Sequence, residues 1–251
     1  MGTPPNARVR QGALLDPDEA GNAHLRRLVD QLDPVDQAKF VKRLTRQCLE
    51  EKFHTYRELL VGARLRALEF NVRYERRLEA KTPDWTVVDE NGEPIELLDV
   101  VTLHQKAEKE LEIRQGLRRT SAVRSAARGI RSIGAWITVP HDHVYAKLSE
   151  KAGQYAKVAS TKRIPFVIAM YSDWLASVSA EELKYVLFEH HDGWFKQYPE
   201  VSGVIHFAPA PWVRFSFRYT AFKNPASDVR PSLMLDKIAA MSDQTIWYPS
   251  T

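Results

Sequence analysis

One segment near the middle of the chain, KTPDWTVVDENGEPIELLDVV at residues 81–101, constrains the fold more than any other part of the sequence. Its Asn91-Gly92 pair predicts a two-residue hairpin turn, because a type I′ turn needs positive φ at both central positions. A turn of that length fixes the strand register and places Asp84 directly opposite Asp99. The Cβ atoms of such opposed residues lie about 5 Å apart. The segment therefore predicts two carboxylates side by side in a hairpin.

Both faces of the predicted hairpin are apolar, which is typical of a buried hairpin. The face of the two aspartates also carries Thr86, Val88, Ile95, Leu97 and Val101, and the other face carries Trp85, Val87, Leu98 and Val100. Burial and mutual repulsion both disfavour two ionised carboxylates at such a place. A divalent cation between them would turn repulsion into coordination, and Mg²⁺ prefers oxygen ligands. We therefore predict a site for Mg²⁺ (or Mn²⁺) at Asp84 and Asp99.

Two alternatives remain open for this pair. Pro94 cannot donate a hydrogen bond to the strand ladder, so the hairpin could adopt a different turn and register. Alternatively, one aspartate lies at an exposed edge, where it needs no cation. The predicted register pairs Glu96 with Val87 in a structural or solvent-facing position, whereas a slip by one residue would exchange the faces of Glu96 and Asp99.

The composition is that of an ordinary soluble globular protein, with 251 residues, 44% hydrophobic and 27% charged. The single cysteine, Cys48, excludes an internal disulfide and suits a reducing compartment. No apolar run approaches the roughly 20 residues that a membrane span requires. We therefore expect a cytoplasmic protein that does not cross a membrane.

The charge is concentrated in one basic segment between residues 113 and 131, which contains no acidic residue. Its six arginines are Arg114, Arg118, Arg119, Arg124, Arg128 and Arg131. Arginine suits bidentate contact with phosphate, so the segment predicts binding to a nucleic-acid backbone. The alternative is a solvated basic face that binds nothing.

Helical and strand patterns alternate along the chain and predict an α/β protein with a mixed central sheet. Helices are predicted at 18–50 (restarting at Asp33-Pro34), 53–68, 142–160 and 179–189, with a short one near 233–240. Strands are predicted at 70–78, in the hairpin, and at 133–140, 164–171, 201–209 and 212–222. The predicted organisation is a flexible lead (1–20), N-terminal helices (21–52), an α/β domain (53–223) with a basic insertion (104–132), and a C-terminal tail (224–251).

Several of these motifs, taken in order, resemble the PD-(D/E)xK, or restriction endonuclease-like, superfamily. They are TPDW at 82–85, LLDVV at 97–101, KLSEKAGQY at 147–155 and IPFVIAM at 164–170, preceded by a helix that carries Glu58. The resemblance covers about residues 53–222 and implies a three-layer α/β/α fold. It also implies that Asp84, Asp99 and the backbone carbonyl of Val100 hold catalytic Mg²⁺.

The chain departs from this family pattern at one position. The family's lysine stands two residues after the second acid, where this sequence has Val101. The resemblance implies that a neighbouring helix supplies the lysine instead, with Lys151 as the candidate and Lys147 and Gln154 in support. It further implies that Glu58 acts through a metal-bound water. The alternative is that these lysines form a solvated helix face and that Glu58 lies at the surface.

The function that the resemblance implies is metal-dependent hydrolysis of phosphodiester bonds in DNA, with RNA as a further possible partner. Two alternatives stay open: a nucleic-acid-binding module that has lost catalysis, and a protein-interaction module. Two histidine-rich stretches, HDH at 141–143 and HHD at 190–192, are attributed to helix ends. Asp142 is expected to cap a helix N-terminus, and neither stretch has the cysteine or spaced histidine partners of a zinc site.

Overall fold

The computed structural model describes residues 19–46, 49–103, 138–172, 177–209, 216–241 and 245–247. The helices in these ranges are α1 (Glu19–Asp30), α2 (Pro34–Arg46), α3 (Leu49–Ala67), α4 (His141–Lys162), α5 (Ala180–Phe188), α6 (Trp194–Gln197) and α7 (Leu233–Ala239). The strands are β1 (Val72–Tyr74), β2 (Trp85–Val88), β3 (Pro94–Thr102), β4 (Phe166–Tyr171), β5 (Gly203–Pro209), β6 (Ser216–Lys223) and β7 (Thr245–Trp247). A single 3₁₀ turn at His190–Asp192 separates α5 from α6.

The strands form one mixed sheet in which the spatial order follows the chain order from β1 to β7. Strands β1 to β3 are antiparallel, β3 to β5 are parallel, and β5 to β7 are antiparallel again. Parallel neighbours need a crossover connection. In this chain α4 lies between β3 and β4, and α5 and α6 lie between β4 and β5. The predicted mixed sheet is confirmed.

Helices cover both faces of this sheet, and each face has its own hydrophobic core. The first core joins α1, α2, α3 and α7 to the sheet face that carries Trp85 and Leu98. The second core joins α4, α5 and α6 to the opposite face, through Leu97, Val101 and Phe166. The predicted α/β class is confirmed, and the layering is compatible with a three-layer α/β fold. No helix in the described ranges is long and apolar enough to cross a membrane.

Strand β1 is shorter than the predicted strand over residues 70–78. Val72 and Tyr74 alternate inward as expected, but Glu75 and Glu79 adopt left-handed φ values of 48° and 56°. A left-handed residue cannot continue an extended ladder, so the chain leaves the sheet after Tyr74. Of the predicted strand at 133–140, residues 133–137 lie outside the described ranges, and Thr138 forms an isolated bridge with Ser177.

The predicted pairing of β2 with β3 is confirmed, although the predicted two-residue turn is wrong. Trp85 pairs with Leu98 and Val87 with Glu96, as the register requires. The turn instead spans Asp89 to Glu93, because the Asp89 carboxylate accepts bonds from the Asn91 and Glu93 N–H groups at 2.9 and 2.7 Å. An aspartate that bonds nearby backbone groups favours this wider loop.

A bulge compensates for the longer turn. The register shifts between Val87 and Val88, and Val88 therefore faces Pro94. Ile95 consequently packs against the first core instead of the aspartate face that the simple hairpin predicts. Beyond the bulge the original register resumes, so the two aspartates keep their predicted positions.

Glu96 has a structural role at the opposite face. It is buried and accepts hydrogen bonds from the Ser232 hydroxyl and the Leu233 N–H, both at 2.7 Å. These donors lie at the start of α7, where free N–H groups favour a carboxylate. Glu96 thereby anchors the helix predicted near 233–240 to β3.

The packing of α3 against β2 gives a test of the first core. Gly62 on α3 lies against the Trp85 ring, and a Cβ atom there would come within 1.9 Å of it. We expect Gly62→Ala to reduce the free energy of unfolding by about 1–3 kcal/mol through overpacking. Gly153→Ala on α4 is the control: a Cβ there meets nothing within 4 Å, and we expect about 1 kcal/mol of stabilisation. Urea unfolding of both variants measures the difference, and equal effects would contradict this account of the packing.

Candidate functional site

Asp84 and Asp99 lie beside each other, as the hairpin register predicts. Asp84 directly precedes β2, and Asp99 lies within β3 with a side chain that is only 1% exposed. The Asp84 N–H donates to Asp99 Oδ1 at 3.3 Å, and the Val100 N–H donates to Asp84 Oδ2 at 2.7 Å. These bonds tie both carboxylates to the hairpin backbone and hold them on the face covered by α4.

Lys151 on α4 contacts this pair. Its Nζ forms an ion pair with Asp99 Oδ2, and its side chain is 24% exposed. Val101, two residues after Asp99 on β3, is buried in the second core. The positive charge beside the two carboxylates therefore comes from Lys151 on α4, the candidate that the sequence resemblance implies.

Asp84 and Lys151 have perturbed pKa values. Burial, and then the charges of Asp99 and Glu58, raise the pKa of Asp84 well above its usual range, against the lowering effects of the Val100 N–H and Lys151. Burial lowers the pKa of Lys151, but its attraction to Asp99 and Asp84 outweighs burial, and the net shift is upward. Lys151 thus keeps its proton, and the excess of negative charge favours one more positive charge at the site.

Glu58 on α3 reaches the same region from the other side of the sheet. Its carboxylate is 2% exposed and contacts Arg43 NH1 at 3.1 Å, His54 Nε2 at 3.2 Å and the Tyr74 hydroxyl. Burial raises the pKa of Glu58 to about 7, Arg43 lowers it, and the charge of Asp99 adds to the rise. Glu58 is therefore buried, so the alternative of a surface position is wrong, and its charge raises the pKa of Asp84.

Tyr155 is a neighbour of the site that the sequence interpretation did not single out. Its hydroxyl donates to the Thr82 carbonyl at 3.0 Å, and burial followed by the charges of Asp99 and Asp84 raises its pKa. It stands four residues after Lys151, and this helical spacing was the signal that could have identified it. Tyr155 joins α4 to the segment that leads into Asp84.

The other predicted site residues are Lys147, Gln154, the backbone carbonyl of Val100 and the six arginines. Lys147 forms a surface ion pair with Glu150 at 2.8 Å, and Gln154 is half-buried on the same helix. The Val100 N–H donates a hydrogen bond to Asp84. A metal-binding role for the Val100 carbonyl stays a prediction. The basic insertion at 104–132, with its six arginines, lies outside the described residues.

A second cluster combines the two histidine-rich stretches that the sequence interpretation had treated separately. His190 Nε2 and His191 Nε2 lie 2.9 and 3.0 Å from Asp142 Oδ1. The expectation that Asp142 caps α4 is wrong, because Pro140 occupies the N-cap and Asp142 lies in the first turn. Hydrogen bonds from the two histidines lower the pKa of Asp142. No local pattern could have revealed contacts between residues 48 and 49 positions apart.

No protein-family model matches the chain, and no curated protein or solved structure matches it significantly. The chemistry of these side chains is therefore the guide to function. Two carboxylates that share one face and carry excess negative charge fit a hard divalent cation such as Mg²⁺. Asp84 and Asp99 are the residues that could hold it.

The raised pKa of Glu58 predicts a pH-dependent stability. A carboxyl group with a raised pKa binds more protons in the folded than in the unfolded state, so its contribution is present below the unfolded value of 4.5 and is lost as the pH rises to about 7. This shift corresponds to about 3 kcal/mol. We expect the free energy of unfolding to fall across this window in metal-free buffer. Glu58→Gln should remove the part of the fall that is due to Glu58 and leave the part due to Asp84, whose pKa is also raised.

Chemical denaturation at a series of pH values, with a chelator present, measures this dependence. Glu189→Gln is the control, because Glu189 is exposed at the end of α5, on the other side of the sheet. The control variant should keep the wild-type pH dependence. A Glu58→Gln variant with an unchanged slope would mean that Glu58 is ionised throughout the window.

Proposed function

We propose that the protein is a metal-dependent nuclease of the PD-(D/E)xK type that hydrolyses phosphodiester bonds in DNA. The observation that carries this proposal is the convergence of Asp84, Asp99 and Lys151 on one face of the sheet. The order of elements supports it: α3, the antiparallel strands β1 to β3, α4 and the parallel strand β4 are the elements on which the sequence resemblance depends. The restriction endonuclease-like fold and a cytoplasmic location are part of the same proposal.

In this proposal Asp84, Asp99 and the carbonyl of Val100 hold Mg²⁺ or Mn²⁺. A bound divalent ion supplies a polarised water for attack and neutralises charge on the phosphate. The protein's own contribution is to fix the carboxylates before the ion arrives. The bonds from the Val100 N–H to Asp84 and from the Asp84 N–H to Asp99 do this, because they limit rotation of both side chains.

Lys151 provides the second positive charge. Its ammonium stays protonated because of Asp99 and Asp84, and its partial exposure leaves N–H donors free to face a phosphate oxygen. Charge on a phosphoryl group increases in the transition state, so a fixed cation beside it lowers the barrier. In this role Lys151 replaces the lysine that the family carries at the position of Val101.

Glu58 would assist by holding a proton. A carboxyl group with a pKa of about 7 exchanges protons readily near neutral pH, which general acid–base catalysis requires. Arg43, His54 and Tyr74 fix the orientation of its oxygens. Its proposed target is the attacking water, on the side of the site opposite α4.

The substrate is proposed to be DNA, with RNA as a further possibility, and the arginines between 114 and 131 would contact its backbone. Phosphate contacts supply affinity and position without reading sequence. Nothing in these residues indicates recognition of particular bases. The net charge of +4 is consistent with a polyanionic partner.

One observation favours a second candidate function, a nucleic-acid-binding module without catalysis. Lys151 already pairs with Asp99, and Val101 is apolar and buried, so the cluster has an internal cation even without a metal. A buried ion pair of this kind is also found as a purely structural feature. The two candidates differ in whether the aspartates bind a divalent ion.

Cleavage of plasmid and single-stranded DNA with Mg²⁺ or Mn²⁺ tests the nuclease. We expect the wild type to cut, and Asp84→Asn and Asp99→Asn to abolish cutting while the far-UV circular dichroism spectrum is retained. Lys151→Ala should reduce the rate by about 10²-fold, the effect of removing one transition-state charge partner. Lys157→Ala is the matched control on the same helix, and its rate should stay at the wild-type value because Lys157 is exposed and is not a predicted site residue.

Two outcomes would count against this assignment. The first is a wild-type protein that cuts none of these substrates, nor RNA or branched DNA, and that binds no Mg²⁺ or Mn²⁺. The nucleic-acid-binding module without catalysis would then be the better assignment. Cutting that survives in both aspartate variants would locate the chemistry elsewhere in the chain.

The proposed role of the basic insertion predicts a change in salt dependence. Each phosphate contact contributes about 0.9 to the slope of log K against log salt for duplex DNA. Replacing both Arg118 and Arg119 with Gln should therefore weaken binding and reduce the slope by about 2. Fluorescence anisotropy over a series of NaCl concentrations gives both quantities. An unchanged slope would show that these arginines do not contact phosphate.

A further inference from the structure

The second side-chain cluster lies where α4 begins and where the chain turns after α5. Asp142 belongs to the first turn of α4, and His190 and His191 form the 3₁₀ turn that follows α5. One carboxylate oxygen and two imidazole nitrogens converge there, and these ligand atoms all lie within 4.8 Å of one another. None of these residues belongs to the nuclease site proposed above.

The backbone of this turn adopts a costly conformation that brings the two histidines together. His191 has φ 52° and ψ 43°, and Asp192 has φ 69°, both in the left-handed region that residues other than glycine rarely occupy. Adjacent side chains in an extended segment would point to opposite sides. Here the ring centroids of His190 and His191 are 4.0 Å apart, and both Nε2 atoms approach the same oxygen of Asp142. Backbone strain of this kind concentrates at functional sites.

Neighbouring groups hold the imidazoles in place. The Gln197 side chain donates to the His191 carbonyl at 2.9 Å, and the Tyr145 hydroxyl donates to the same glutamine. The Tyr145 ring packs edge-on against His191, with centroids 5.4 Å apart, and the His141 ring lies 5.8 Å from that of His190. The side chain of His190 is only 17% exposed. The ligand set is therefore largely organised before anything binds.

We propose that Asp142, His190 and His191 form a binding site for Zn²⁺. Imidazole nitrogens are borderline donors, so a set of two imidazoles and one carboxylate oxygen suits Zn²⁺ better than Mg²⁺. Zinc lies about 2.0–2.2 Å from such atoms, and tetrahedral geometry then separates them by about 3.3 Å. The present separations of 2.9 and 3.0 Å between each Nε2 and Oδ1 need only a small expansion. Three protein ligands leave a fourth position for water.

The role of this ion would be to link α4 to the turn after α5. Its ligands come from parts of the chain 48 and 49 positions apart, so the site exists only in the folded chain and Zn²⁺ binding stabilises the fold. Lys151 stands nine residues further along α4 than Asp142, which is about 14 Å at the rise of an α-helix. The zinc site is thus separate from the Asp84–Asp99 pair, and its existence does not depend on the proposed nuclease activity.

Titration of the untagged, full-length protein with ZnCl₂ tests this site. Isothermal titration calorimetry in excess MgCl₂, which fills the proposed Asp84–Asp99 site, should give one equivalent of Zn²⁺ bound by the wild type. Asp142→Asn, His190→Ala and His191→Ala should each lower the affinity at least tenfold. Two controls should bind as the wild type does: His143→Gln, next to Asp142 on α4, and Asp99→Asn, at the other carboxylate site. Wild type that binds no Zn²⁺ at micromolar concentrations, or ligand variants that bind normally, would overturn the proposal.

Two further measurements keep the test decisive if a variant fails to fold. In ¹⁵N spectra of wild-type imidazoles, Zn²⁺ should shift the Nε2 resonances of two of the eight histidines, His190 and His191. The melting temperature should rise with Zn²⁺ in the wild type and in Asp99→Asn, but not in His191→Ala, whose side chain is 59% exposed in the native turn. Shifts confined to other histidines, or an equal rise in His191→Ala, would contradict the assignment.

Discussion

Two carboxylates of like charge, Asp84 and Asp99, set the condition that the surrounding structure has to satisfy. Burial and repulsion raise the pKa of Asp84, so an uncompensated pair would destabilise the fold. The structure compensates with two backbone N–H donors and the ammonium of Lys151. The hairpin register, the position of α4 and its packing on the second core are all needed to bring these groups to one place. Stability and the proposed chemistry therefore depend on the same contacts.

Charged side chains on both sides of the sheet act on this pair. On one side α3 presents Glu58 within a set of contacts to Arg43, His54 and Tyr74. On the other side α4 presents Lys151, whose charge lowers the pKa of both Asp84 and Glu58. Charges from both helical layers thus act on groups held by β2 and β3. The proposed catalysis would use this arrangement, because charges that are fixed before the substrate binds need no reorganisation during the reaction.

Much of this centre could be predicted because its signals are local. The positions of Asp84 and Asp99 follow from the register of one hairpin, and that register survived a different turn because a bulge restored it. The turn itself was predicted wrongly, because a dipeptide is not enough to fix a turn type. Asn91-Gly92 favours a two-residue turn, but the Asp89 carboxylate accepts hydrogen bonds from two backbone N–H groups in a wider one. Lys151 was identified through a resemblance between short motifs, and Tyr155 was missed although it stands on the same helical flank.

The sequence by itself determined the periodic features: the helices, the two apolar faces of the hairpin and the pairing of its strands, since each depends on residues close together in the chain. Only the tertiary structure decided which side chains meet across long separations. It buried Glu58 and brought Lys151 to Asp99. It also brought Asp142 to His190 and His191, although the sequence had assigned all three to helix ends. The physical reason is that such contacts are set by how layers pack on the sheet, and packing depends on the sum of many apolar contacts.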